Sequence, residues 1–130
     1  MITVVTGTYN RLPYLQAMLN SAYQSAGEIP IDFVIVDGGS TDGTIEWCKT
    51  RNDIRLIEQG QLLGACRAFN AGFDVVESDY ALAANDDIEF NGDGIQRAYG
   101  HLVNHPSSGG VALSTSPLGK TSIWLIHSGI

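Results

Sequence analysis

The chain is poor in positive charge. Seven Lys and Arg face fourteen Asp and Glu, a net charge of −7 over 130 residues. That balance excludes binding to nucleic acid or an anionic membrane through general electrostatics, since both need a basic surface. A phosphate-bearing ligand would therefore need helix N-termini or a metal ion. Cysteine is scarce as well. Cys48 and Cys66 show no metal-type spacing and are too few for a disulfide scaffold, so a reducing, cytoplasmic setting is expected. No apolar run approaches membrane-spanning length. Met1-Ile2-Thr3-Val4-Val5 has no basic region before it and reads as a first strand rather than a signal peptide. Familiar chemical signatures are missing too. The loop Gly7-Thr8-Tyr9-Asn10-Arg11 is not a G-x-G-x-x-G turn, and no P-loop occurs. There is no G-x-S-x-G nucleophile elbow, and no His is placed to pair with a Cys or Ser.

What is present is an alternation of short apolar runs with amphipathic stretches. Strands are expected at Ile2–Thr6, Ile31–Val36, Ile54–Ile57, Tyr80–Ala84, Val111–Ser114 and Ile123–Ile126. Between them, Leu12, Leu15, Met18, Leu19 and Tyr23 recur at helical spacing, and Gly27 and Pro30 stop that helix. Further helices are expected through Ile45, Trp47 and Cys48, over Gly64–Val76, and over Ile95–Val103. This order predicts a mostly parallel sheet in a three-layer α/β/α sandwich, one domain with a real core but small for a complete enzyme. The C-terminal part differs in character. Ser107-Ser108-Gly109-Gly110 and Ser116-Pro117-Leu118-Gly119 are turn-rich, and the strand at Ile123–Ile126 stops almost at the last residue. Such a strand looks unpartnered, which makes the end look cut and self-association an expectation.

Two acidic segments fall at expected strand ends. Val34-Ile35-Val36-Asp37 runs into Gly38-Gly39, whose backbone freedom should leave Asp37 exposed at the carboxyl end, where open α/β sheets bind ligands. An acid there can accept a hydrogen bond from a base or ribose. Ser40, Thr41 and Asp42 are candidate N-caps for the next helix. Asn85-Asp86-Asp87 comes directly after the strand at Tyr80–Ala84. Adjacent acids repel unless a cation, donors or water offset the charge. Oxygen ligands of this kind suit Mg²⁺ or Mn²⁺, which bind through one or two carboxylates plus substrate phosphates. Taken alone, the triplet reads as a solvated turn after a strand; Asp37 at the same end of the sheet is what makes it a constellation.

These residues resemble the family 2 glycosyltransferases of the GT-A fold. Val4-Val5-Thr6-Gly7-Thr8-Tyr9-Asn10-Arg11 is similar to that family's opening, and Val36-Asp37-Gly38-Gly39-Ser40-Thr41-Asp42-Gly43-Thr44 to its second-strand motif. Gly64-Ala65-Cys66-Arg67-Ala68-Phe69-Asn70-Ala71-Gly72 matches the third segment, and Asn85-Asp86-Asp87 falls where the family places its D-x-D motif. The resemblance implies transfer of a sugar from a nucleotide-diphosphate donor to an acceptor hydroxyl on a glycan, lipid or protein, with inversion and with Mn²⁺ or Mg²⁺. It implies that Thr8 and Asp37 contact the nucleotide base, that Tyr9 packs beside the base, and that Asn10 and Arg11 open the loop under the nucleotide. Arg11 is alternatively an ordinary surface charge. Asp86 would face the ribose or sugar, and Asp87 would ligate the metal. Asn85 takes the place of the first acid, so metal affinity leans on Asp87. Arg67 either approaches the phosphate or donor sugar or lies on a helix surface.

The family's general base and acceptor site lie beyond the D-x-D motif, and residues 94–130 contain no Asp or Glu. The resemblance thus implies a single GT-A-like domain over 1–130 that lacks the C-terminal acceptor-binding part. The rival expectation is a non-catalytic nucleotide-binding or assembly domain of the same fold. A nucleotidylyltransferase fits less well, since the first loop is neither Gly-rich nor basic. Some relatives use a late His as metal ligand, which singles out His127; His101 and His105 read as helix-end residues. Trp47, Tyr80, Phe69 and Phe73 fall within periodic segments and read as core.

Overall fold

In the computed structural model, residues 1–114 and 122–128 are described; Ser116-Pro117-Leu118-Gly119 lies outside them. The element order is β1 (Ile2–Thr8), α1 (Leu12–Ala26), β2 (Ile31–Asp37), α2 (Thr44–Lys49), β3 (Ile54–Glu58), α3 (Ala65–Phe73), β4 (Tyr80–Ala83), α4 (Gly94–Asn104), β5 (Gly110–Ser114) and β6 (Ser122–His127). The strands form one sheet in the order β3-β2-β1-β4-β6-β5. β3, β2, β1 and β4 are parallel, whereas β6 runs antiparallel to both β4 and β5. The expected mostly parallel three-layer sandwich is therefore present. The lone terminal strand is corrected: β6 sits inside the sheet with partners on both sides, and the edges are β3 and β5.

Strand alternation sorts the apolar residues into two cores. Ile2, Val4, Phe33, Ile35, Leu82 and Leu125 face α1, α2 and α4, which contribute Leu15, Met18, Leu19, Ala22, Cys48, Ile95 and Leu102. Val5, Val34 and Val36 face α3, where Ala68, Phe69 and Phe73 cover them. Trp47 and Tyr80 pack against the first core and Phe69 and Phe73 against the second, as their periodicity implies. α3 lies close on the sheet because Gly72 has no side chain: a Cβ there would come within 2.3 Å of Val5 Cγ1. This helix ends at Phe73, three residues short of the expected Val76, and Val75 and Val76 cover the second core from a turn.

Buried serines on α1 fix the chain beyond β4. Ser21 Oγ accepts the Phe90 N–H at 2.9 Å, and Ser25 Oγ accepts the Ile95 N–H at 2.9 Å. They anchor the segment between the acid triplet and α4 to α1, beyond the carboxyl end of β4. No helix among the described residues is long and apolar enough to cross a membrane.

Candidate functional site

The loops at the carboxyl ends of β1 and β2 are tied to each other. Asn10 takes a left-handed conformation (φ 51°), which Asn tolerates better than most residues. Its N–H donates to Ser40 Oγ at 2.9 Å, and its Oδ1 accepts the Thr41 N–H at 2.7 Å. Asn10 is thereby occupied in stapling two loops. Asp42 is occupied too. One oxygen accepts the Leu12 N–H that opens α1 at 3.1 Å; the other accepts the Thr44 N–H and hydroxyl that open α2, at 3.1 and 2.5 Å. The N-cap position of α2 is Gly43, with φ 97°, so Asp42 caps from one residue further out while Ser40 and Thr41 serve Asn10.

One carboxylate that satisfies two helix starts has a predictable worth. Asp42→Ala should lower stability by about 1–2 kcal/mol in urea unfolding. The Thr44 hydroxyl chiefly holds the Asp42 carboxyl below its ordinary value. A depressed acid stabilises fully above its unfolded value and loses that contribution as pH falls through its folded value. The cost of Asp42→Ala should therefore be full at neutral pH and shrink in acid.

Beyond these loops, the triplet closes on β1. Asp86 is 7% exposed, and its Oδ2 accepts the Thr8 hydroxyl at 2.9 Å. Arg11 Nη1 lies 3.4 Å from Asp86 Oδ1 and 3.2 Å from Asp87 Oδ2. Burial pushes the Asp86 carboxyl above its ordinary value and the Asp87 charge adds to this; the Thr8 hydroxyl and the Arg11 charge oppose it. Thr8, Arg11, Asp86 and Asp87, distant in sequence, form one cluster.

The cluster borders a cleft of about 320 Å³, within the range of small-molecule sites. Gly7, Thr8, Tyr9 and Arg11 line it from β1 and its loop, Val36 from β2, Gly38 from the turn after it, and Asn85 and Asp86 from the triplet. The opposite wall was not foreseen: Gln59, Leu62, Leu63, Gly64, Ala65, Ala68 and Phe69, from the β3–α3 loop and the first turns of α3. Gly60 and Gly64 both have positive φ and bracket that loop, and Leu62 is 66% exposed. Two leucines between two glycines was the available signal. Gly38 matters to the shape, because a Cβ there would meet Leu62 Cδ2 at 2.9 Å.

Three expected residues stand elsewhere. Asp37 is not exposed but fully buried. On β2 it shares the side of Ile35, which faces α1 and α2, whereas Val36 faces α3 and the cleft. Its Oδ1 accepts the Gly39 and Ser40 N–H groups, each at 2.8 Å, and its buried Oδ2 has no hydrogen-bond partner among the described residues. Asp37 thus shapes the turn from beneath. Arg67 is exposed in the first turn of α3, outside the cleft lining, and makes no ion pair among the described residues. His127 pairs in register with Tyr80, at the start of β4, whereas the triplet lies past its end. It lies toward the opposite end of β4 from Asp86 and Asp87. His105 Nδ1 bonds the His101 carbonyl at the end of α4, as a helix-end residue should.

Among the described residues no group of three or more His, Cys, Asp or Glu is gathered for a metal. The acid pair is nonetheless suited to one. A single nitrogen is within 3.4 Å of an oxygen from each carboxylate, so one positive centre can serve both. Mg²⁺ and Mn²⁺ typically take that many protein carboxylates and complete their shells with water and phosphate.

The mostly parallel sheet and the acid-edged cleft at its strand ends fit a GT-A-like α/β domain. Residues 3–127 match the model of glycosyl transferase family 2, and the chain belongs to that family. It is 33% identical over 97 residues to glycosyltransferase GlyG of Streptococcus pneumoniae serotype 4, a match spanning 68% of this chain and 31% of GlyG. Its fold is similar to that of the mannosyltransferase PcManGT from Pyrobaculum calidifontis, solved with GDP-Man and Mn²⁺. That likeness has a TM-score of 0.80 at 21% identity, over 97% of this chain and 44% of PcManGT. S. aureus TarS with UDP-GlcNAc gives a TM-score of 0.69 at 23% identity, over 81% of this chain and 32% of that one. The chain therefore spans less than half the length of each of these relatives.

Proposed function

We propose that the cleft binds a nucleotide-diphosphate sugar and that the chain is the donor-binding part of a metal-dependent, inverting glycosyltransferase. The observation that carries this reading is the division of the cleft into an apolar wall and a charged edge. Tyr9, Leu62, Leu63 and Phe69 offer apolar surface suited to a base, and Gly38 lets it approach the backbone. The first turn of α3 borders the same space at Gly64 and Ala65 with no side-chain cap, which suits a diphosphate at a helix N-terminus. Arg67, in that first turn but outside the lining, would reach the diphosphate only by swinging inward. Thr8 orients Asp86 toward ribose or sugar, and Asn10 acts by holding the loop rather than by contact. Asp86 and Asp87 would hold Mn²⁺ or Mg²⁺, which offsets charge developing on the departing diphosphate. The donors bound by the two structural relatives, GDP-Man and UDP-GlcNAc, are of the class this cleft suits.

Inversion requires an acceptor hydroxyl to attack from the face opposite the leaving group, with a carboxylate as base. Residues 94–130 supply none. Both cysteines are free, which suits a reducing cytoplasm.

Thermal unfolding with UDP, GDP and dTDP in the presence of Mn²⁺ tests the site. A ligand at 100 times its dissociation constant stabilises by about 2.7 kcal/mol, a readily measured rise in Tm. Leu62→Asp should keep the unliganded Tm, because Leu62 is exposed, and should lose the rise by placing a carboxylate in the cleft wall. A rise that survives in Leu62→Asp would put the binding elsewhere.

A further inference from the structure

We propose that Arg11 is the resident counter-ion of the acid pair: it holds Asp86 and Asp87 in the donor-free protein and gives them up to a divalent cation. This rests on the metal reading above and adds a competitor to it. The Arg11 guanidinium contacts both carboxylates through the same nitrogen, at 3.4 and 3.2 Å. That nitrogen occupies the ground between the two oxygens, so Arg11 and a metal serving both cannot be there together. Arg11 is free to leave. Its side chain is half exposed, and these two contacts are its only side-chain hydrogen bonds among the described residues. It precedes α1 as the N-cap residue but makes no side-chain cap bond, so a swing costs the helix nothing.

The two acids respond differently. Asp86 stays in place because Thr8 holds its other oxygen. Asp87 has no second partner among the described residues and is free to turn toward a new cation. The pair alone carries two negative charges, one of them on a buried side chain, and repulsion between them would splay the triplet. Arg11 keeps both carboxylates near one point, at the cost of weakening the metal's hold.

Mn²⁺ binding without nucleotide, followed by the electron paramagnetic resonance of the free ion, separates the possibilities. Arg11→Gln should bind Mn²⁺ about two- to fivefold more tightly than the wild type, the range expected from releasing an exposed ion pair. Arg97→Gln, an equal change of charge on α4, should leave the affinity unchanged. Equal affinity in Arg11→Gln and the wild type, binding by neither, or an equal gain in Arg97→Gln would overturn the proposal. An Asp87→Ala variant that binds Mn²⁺ as tightly as the wild type would remove the metal reading itself, and the proposal with it.

Discussion

Asp87→Ala should abolish metal-supported nucleotide binding and leave the fold standing. The Asp87 side chain is 47% exposed, and its only side-chain hydrogen bond or ion pair among the described residues is with Arg11, so its loss orphans no buried group. Stability in urea should change by less than about 0.5 kcal/mol, as for other exposed positions. The effect on binding is of another order. Outer-shell partners of metal ligands already cost 10- to 100-fold on removal, so loss of a ligand itself should cost at least about 100-fold in Mn²⁺-supported affinity. Asn85 is a poor substitute, because a neutral amide oxygen holds a hard cation less strongly than a carboxylate. Binding that persists in Asp87→Ala would sink the metal assignment.

The reverse pattern is expected at Asp37. Asp37→Ala should cost about 2–4 kcal/mol of stability, since two charge-assisted bonds to the Gly39 and Ser40 N–H groups disappear from a fully buried site. Asp37→Asn keeps an oxygen for both donors but places an amide N–H₂ where the buried Oδ2 has no partner among the described residues, so it should fall between the wild type and Asp37→Ala. Urea unfolding ranks the three. In Asp37→Asn, nucleotide affinity should stay within severalfold of the wild type at temperatures where the variant is folded. A large loss of affinity with unchanged stability would restore Asp37 as a direct contact.

Asp37 also shows where reading the sequence stops. The apolar run and the glycines correctly end β2 at this residue, but the strand end alone does not say which face the acid takes. Side chains alternate, and Val36 holds the cleft side. The strands and helices were legible because alternation and helical spacing are local. The place of β6 beside β4 was not, because that pairing joins residues more than 40 positions apart. The triplet was legible as acids at a strand end. Its closure by Thr8 and Arg11 depends on β1 lying beside β4, a fact of topology. The Leu62–Leu63 wall escaped because loops carry no periodicity, although an exposed leucine between two glycines is a usable sign. Gly72 is the converse case: a motif glycine explained by packing, since α3 could not lie on Val5 with any side chain there.

Calorimetric titration of the chain with UDP, GDP and dTDP, each with and without Mn²⁺, tests the central claim most directly. The account predicts that at least one of the three binds with one-to-one stoichiometry and only weakly when Mn²⁺ is withheld. A folded chain that takes up none of them under either condition would contradict it, and would leave a domain of this fold that serves assembly rather than donor binding.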